Sequence, residues 1–140
     1  MGCVFCSIVA GDAPASIVRR DDRIVAFMDI HPVTPGHVLV VPTVHATCLA
    51  DLDVSLGAAL FGAASSIAAA IRQSGVPCSG INLLYADGAD AGQEVFHAHL
   101  HVIPRTANDG FRIDVRAWRE PPPDRSVLDV YAATIRDALK

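Results

Sequence analysis

Apolar and polar positions follow a period of two in several short stretches and helical spacing in two longer ones. Ile17 to Arg20 and Ile24 to Met28 read as strands of a hairpin turning at Asp21-Asp22. His37 to Val41 predicts a third strand, stopped by Pro42, and Gly80 to Tyr85 a fourth. Glu94 to Ile103 predicts a fifth, with Val95, Ala98, Leu100 and Val102 as apolar positions and Pro104 ending the run. A long helix is expected from a cap at Asp51 or Asp53 to about Gln73, with Gly75 as its C′ residue. A short helical turn is expected before Gly11. Behind Pro121-Pro122-Pro123, residues Val127, Val130, Tyr131, Ile135 and Leu139 fall on one side of a C-terminal helix over Ser126 to Leu139. The sum is an α+β chain with a mainly antiparallel five-stranded sheet, one long helix and a C-terminal helix. Residues 1–105 form the domain core and 106–140 an extension whose helix is expected on or near a dimer contact.

Composition narrows the function classes. With 140 residues, 51% of them hydrophobic, the chain can bury a core without disulfides. The formal net charge is −4 with Lys and Arg scattered, which argues against long nucleic acid but leaves room for a small anionic ligand. The apolar stretch Val54 to Ile71 is broken by Gly57, Gly62, Ser65 and Ser66, so a packed helix is expected there and no membrane partner. The N-terminus has neither a basic n-region nor an apolar h-region, so a cytoplasmic location is expected.

His97, His99 and His101 occupy alternate positions of the fifth stretch, so a strand presents all three to one face. Buried imidazoles need hydrogen-bond partners, and packing alone does not account for three in register. All six histidines lie in two segments, 31–45 and 97–101, and the N-terminus carries Cys3-x-x-Cys6. Two thiolates with two imidazoles are a common closed set for structural zinc, and Cys3, Cys6, His45 and His97 can supply it. The other reading is a free cysteine pair with His45 on the surface. No βαβ pattern follows the pair, which argues against a thioredoxin-like redox motif. Cys48 and Cys78 are expected to be small buried hydrophobes.

The run Gly92-Gln93-Glu94-Val95-Phe96-His97-Ala98-His99-Leu100-His101-Val102-Ile103-Pro104-Arg105 resembles the signature of the histidine triad family. Upstream, Asp21-Asp22-Arg23, Phe27-Met28-Asp29-Ile30, Pro35 to Pro42 and His45 are similar to segments of its Hint-like branch, so the resemblance covers roughly residues 3–105. It implies an α+β fold, usually a homodimer with a sheet continuous across the interface, and nucleotide hydrolase or nucleotidyl-transferase chemistry. By position, His99 matches the nucleophile, which would attack the α-phosphorus of a nucleoside phosphoramidate, acyl-nucleotide or dinucleoside polyphosphate and form a nucleotidyl-histidine. His101 and His37 match phosphate contacts, and Asp29 the carboxylate on the ribose. Phe5, Ile8 and Phe27 match the purine slot. Cys3, Cys6, His45 and His97 match the zinc set.

The chain departs from the family at Ala86, where relatives carry an amide that bonds the phosphate; Gln93 or a backbone N–H is the candidate substitute. At position 94, Glu replaces a small polar residue, which bears on the leaving group. Two alternatives remain beside the hydrolase. One is a metallohydrolase using all three triad histidines, disfavoured because their strand spacing of about 6.5–7 Å is too wide for one metal. The other is a non-catalytic purine-nucleotide-binding adaptor dimer.

Overall fold

The computed structural model describes residues 2–113 and 121–139. Met1, 114–120 and Lys140, and with them part of the expected extension, lie outside the described residues. Along the chain run α1 (Val4–Ala10), β1 (Ile17–Arg20), β2 (Ile24–Met28), β3 (Val38–Pro42), α2 (Val54–Gln73), β4 (Gly80–Tyr85), β5 (Leu100–Arg105) and α3 (Arg125–Ala138). The strands form one antiparallel sheet in the order β1-β2-β3-β5-β4.

Strand alternation divides the core in two. Ile24 and Ala26 of β2, Val38 and Val40 of β3, and Leu100 and Val102 of β5 pack against Leu56, Leu60, Ala63, Ala64, Ile67 and Ile71 of α2. Val25, Phe27, Leu39 and Val41 face the other way and cluster with Phe5 and Ile8 of α1. The apolar stretch Val54–Gln73, long enough to cross a membrane by length and composition alone, therefore lays one face on the sheet. Asp53 caps α2, accepting the Leu56 N–H at 2.8 Å. Asp51 instead accepts the N–H groups of Thr47 and Cys48 ahead of a short 3₁₀ turn.

Three sequence expectations need correction. The histidine strand begins at Leu100, not Glu94, so His97 and His99 precede the sheet. The β3–β5 register would place Ala98 opposite Pro42, which has no N–H to donate, so the ladder stops. The Pro42 carbonyl takes the His97 ring at 2.9 Å instead, and the Ala98 N–H goes to Ala46 O. Pro104 lies inside β5 and pairs with Ile81; β3 pairs only with Leu100 to Val102, so no partner needs its missing N–H. Ser74 caps α2, its hydroxyl donating to Ile71 O, which leaves Gly75 at C′ as expected, though not in a left-handed conformation. Cys48 and Cys78 are half-buried, and the Cys48 thiol sits beside the Asp51 carboxylate at 3.5 Å.

Gly36 delivers the chain into β3. Its φ is +89°, and an added Cβ would come within 2.5 Å of Val76 Cγ1 and 3.2 Å of Pro104 Cγ. Gly36→Ala is expected to cost about 2–5 kcal/mol, combining left-handed strain of about 1–2 kcal/mol with overpacking of about 1–3 kcal/mol. Urea unfolding measures it, and a loss under about 1 kcal/mol would mean that the turn relaxes freely.

Candidate active site

Parity decides which side chains meet. Val38 and Val40 point to α2, so His37 and Leu39 point to the α1 face; Leu100 and Val102 point to α2, so His101 also points to the α1 face. Leu39 lies opposite His101 in the ladder, and His37 Nε2 comes within 2.8 Å of His101 Nδ1. His99 lies just ahead of the strand on this same face, its ring centroid 4.9 Å from His101 and 5.2 Å from Phe5.

Hydrogen-bond partners assign the tautomers. The Val33 N–H donates to His37 Nδ1 at 3.2 Å, so the His37 proton is on Nε2 and is donated to His101 Nδ1. The His101 proton is then on Nε2. His99 Nδ1 donates to the His97 carbonyl at 2.6 Å, leaving a lone pair on its Nε2. The arrangement is a basic nitrogen beside an N–H donor that is itself held by a second histidine. Asp29 accepts the His31 N–H at 2.8 Å through Oδ1, and its Oδ2 lies 3.6 Å from His37 Nε2.

Burial pushes His101 down to about 4; charge on His99 or His37 would act in the same direction. It also lowers His37, against the opposing pull of Asp29. Both are neutral at pH 7. An unfolded chain titrates these groups near 6.5, so it binds more protons than the folded one as pH falls from about 6.5 towards 4. Their contribution to stability is therefore whole above pH 7 and declines across that window. The urea midpoint should fall between pH 7 and 4.5, and His101→Gln should remove part of the fall; an unchanged pH slope would contradict the neutral assignment.

These groups open onto a cavity of about 650 Å³, inside the range of roughly 300–1,000 Å³ for small-molecule sites. Phe5, Ile8, Phe27 and Leu39 give it an apolar wall beside Asp29, His37, His99 and His101. Phe5 meets Phe27 edge to face at 5.4 Å, which holds the wall in place.

A second cluster lies beside the first. Cys3 Sγ and Cys6 Sγ are each 3.5 Å from His97 Nδ1, and Cys6 Sγ is 3.3 Å from His45 Nδ1. All four ligand atoms lie within 4.8 Å of one another. Tetrahedral bonds of about 2.3 Å to sulfur and 2.0–2.1 Å to nitrogen require S···N separations of about 3.6 Å, so the spacing fits a metal ion. His97 Nε2 donates to Pro42 O, which leaves Nδ1 free as a ligand and fixes the ring. Burial and the neighbouring Cys3 thiol push the Cys6 thiol up, as expected of two sulfurs that share a site without a counter-charge. Asp29, His37 and His101 also place ligand atoms within 4.8 Å. A metal there would have to displace the proton from His37 Nε2 and give up the Val33 bond.

The three triad histidines thus divide: His97 turns to the cysteines, His99 and His101 to the cavity. One metal does not draw all three. Gln93 is spent elsewhere, its amide donating to Thr47 O and Val95 O and accepting from the Gly88 N–H. It braces the loop, and its side chain is not free for phosphate. Asp87 accepts the Leu49 N–H at 2.8 Å. Sequence reading missed the groups that set the tautomers, namely the Val33 N–H and the carbonyls of His97 and Pro42. Backbone atoms leave no residue-type signal.

Comparison with known proteins agrees with this geometry. The chain is 44% identical over 110 residues to Protein hit of Bacillus subtilis, covering 78% of this chain and 75% of that protein. It is 36% identical over 107 residues to adenylylsulfatase HINT3 of Arabidopsis thaliana, covering 76% and 54%. The crystal structure of a Zn-bound histidine triad family protein from Mycobacterium smegmatis superposes with a TM-score of 0.77 at 38% identity, covering 99% of this chain and 98% of that one. The HIT domain model matches residues 10–108, and the chain belongs to the HIT family, a superfamily of nucleotide-binding proteins and hydrolases.

Proposed function

We propose that the protein is a nucleotide hydrolase or nucleotidyl transferase that cleaves at the α-phosphate of a purine nucleoside phosphoramidate or related conjugate through a nucleotidyl-histidine on His99. The observation that carries this reading is the bond from His99 Nδ1 to the His97 carbonyl, which leaves Nε2 unprotonated in the cavity. Nε2 attacks phosphorus and the P–N bond breaks. The departing amine takes the proton from His101 Nε2, which His37 positions. The carbonyl of His97 stabilises the charge left on the substituted imidazole. Water then attacks phosphorus, gives its proton to His101, and His99 Nε2 leaves. Asp29 would hold the ribose hydroxyls, and Phe5, Ile8 and Phe27 the base. Enzymatic turnover is supported by the adenylylsulfatase relative.

Cys3, Cys6, His45 and His97 would hold structural zinc, the metal in the Mycobacterium smegmatis structure. When bound, it supplies charge compensation for the thiolates and a fixed cross-link from α1 to the triad segment. A homodimer in the cytoplasm completes the proposal. β4 is an edge strand with Leu83 and Leu84 36% and 43% exposed, and α3 exposes Val130, Tyr131 and Ile135.

Single-turnover reaction with adenosine 5′-phosphoramidate, quenched in acid and read by intact mass, tests the mechanism. A transient adenylyl adduct mapping to His99 is expected. Tight binding of adenosine monophosphate with neither adduct nor product would favour the non-catalytic adaptor.

A further inference from the structure

A site proposed to take a phosphate carries, among the described residues, no lysine or arginine on its cavity wall. The charged side chains that line it are Asp29 and Glu94. Asp29 already accepts the His31 N–H and its other oxygen stands 3.6 Å from His37 Nε2, and His37 and His101 supply N–H groups but no full charge at neutral pH. Glu94 is exposed and has no ion-pair partner among the described residues.

Its backbone is nonetheless held on both sides. Gln93 is buried and makes three side-chain bonds, and Val95 packs on the cluster of Phe5 and Ile8. The main chain at Glu94 is therefore anchored, and its carboxylate lines the cavity from a held backbone. Once the apolar wall is given to the base and Asp29 to the ribose, the rest of the lining includes Leu84, Ala86, Ala91, Gly92 and Glu94. Those five have small or apolar side chains apart from one negative charge; His31 also lines the cavity, at the Asp29 end, where its backbone N–H binds that carboxylate. A ligand filling the cavity lies within about one Debye length of it, roughly 8–10 Å at moderate salt.

We propose that Glu94 selects the leaving group, favouring an amine that bears a second, protonated ammonium over neutral or anionic groups such as carboxylate, sulfate or polyphosphate. This rests on the hydrolase reading above. The chemistry is unaltered: the P–N bond breaks, the reacting nitrogen takes the His101 proton, and the distal ammonium only faces Glu94.

The test uses three adenosine 5′-phosphoramidates of matched chain length, made from 1,5-diaminopentane, pentylamine and 5-aminopentanoate. For each, kcat/KM is compared between the wild type and Glu94→Gln, so the intrinsic reactivity of each P–N bond cancels. The wild type should prefer the diamine over the carboxylate substrate by about 10-fold more than Glu94→Gln does at low salt, as expected of one exposed charge. The difference should shrink in high salt, and Glu94→Lys should reverse the order. A purely structural role for Glu94 would lower all three rates together, and that uniform loss, or an unchanged ratio, would overturn the assignment while leaving the hydrolase reading intact. No turnover of any of the three by the wild type would overturn both.

Discussion

His99→Ala is expected to lower kcat for adenosine 5′-phosphoramidate by about 10⁴-fold or more, because a covalent route loses its first bond and not merely a favourable contact. Adenosine monophosphate affinity should change by less than about tenfold, since Phe5, Phe27, Asp29 and His101 remain. His99 is buried and its ring stands edge-on to Phe5, so alanine also leaves a gap that can loosen the wall. His99→Asn separates the two effects. An asparagine amide can still donate to the His97 carbonyl but offers no nucleophilic nitrogen, so it should be as inactive as alanine yet closer to wild type in thermal stability. His101→Ala should cost less, about 10²–10³-fold, as befits a proton donor whose place water can take. Steady-state turnover followed by chromatography measures all three. Retention of more than about one hundredth of wild-type kcat in both His99 variants would remove His99 from the covalent role.

The sequence carried most of this site because its information lies in side-chain types at fixed spacing. Period-two patterning placed β1, β2, β3 and β4 to within a residue, while the common face of His37 and His101 follows only from the pairing of β3 with β5. The segment before β5 departs from its strand pattern for a physical reason. His97-Ala98-His99 has the pattern of a strand, but strand formation there needed a ladder partner that Pro42 cannot be. The histidines still face usefully because side-chain and loop bonds, from His97 to Pro42 O and from Ala98 to Ala46 O, replace the ladder. Gln93 shows the complementary limit. An amide beside a glycine in a loop looks available for phosphate, and only its three partners show that it is committed. The four-ligand cluster needed both levels: residue types proposed it, and the 3.3–3.5 Å S···N spacing made it a metal-sized site.

Removing metal, or replacing Cys6 by serine, is expected to lower the thermal midpoint by about 10 °C, the equivalent of about 3 kcal/mol for a domain of this size. Zinc-finger peptides owe their whole fold to the ion, but here the sheet and α2 bury a core of their own, so the loss is partial. What the four ligands join is specific: α1, the segment after β3 and the first triad histidine. Loosening them frees His97, whose carbonyl holds the His99 tautomer, and frees α1, which carries Phe5 against the His99 ring. Turnover should therefore fall several-fold in stripped protein that is still folded, with the loss appearing in both kcat and KM because nucleophile and base wall shift together. Differential scanning fluorimetry and single-turnover kinetics on chelator-treated protein, with zinc added back, measure the two effects. A metallohydrolase would behave differently: chelation would abolish the chemical step outright at a temperature where the fold is intact. Complete loss of adduct formation in stripped protein with an unchanged midpoint would transfer the chemistry from His99 to the metal.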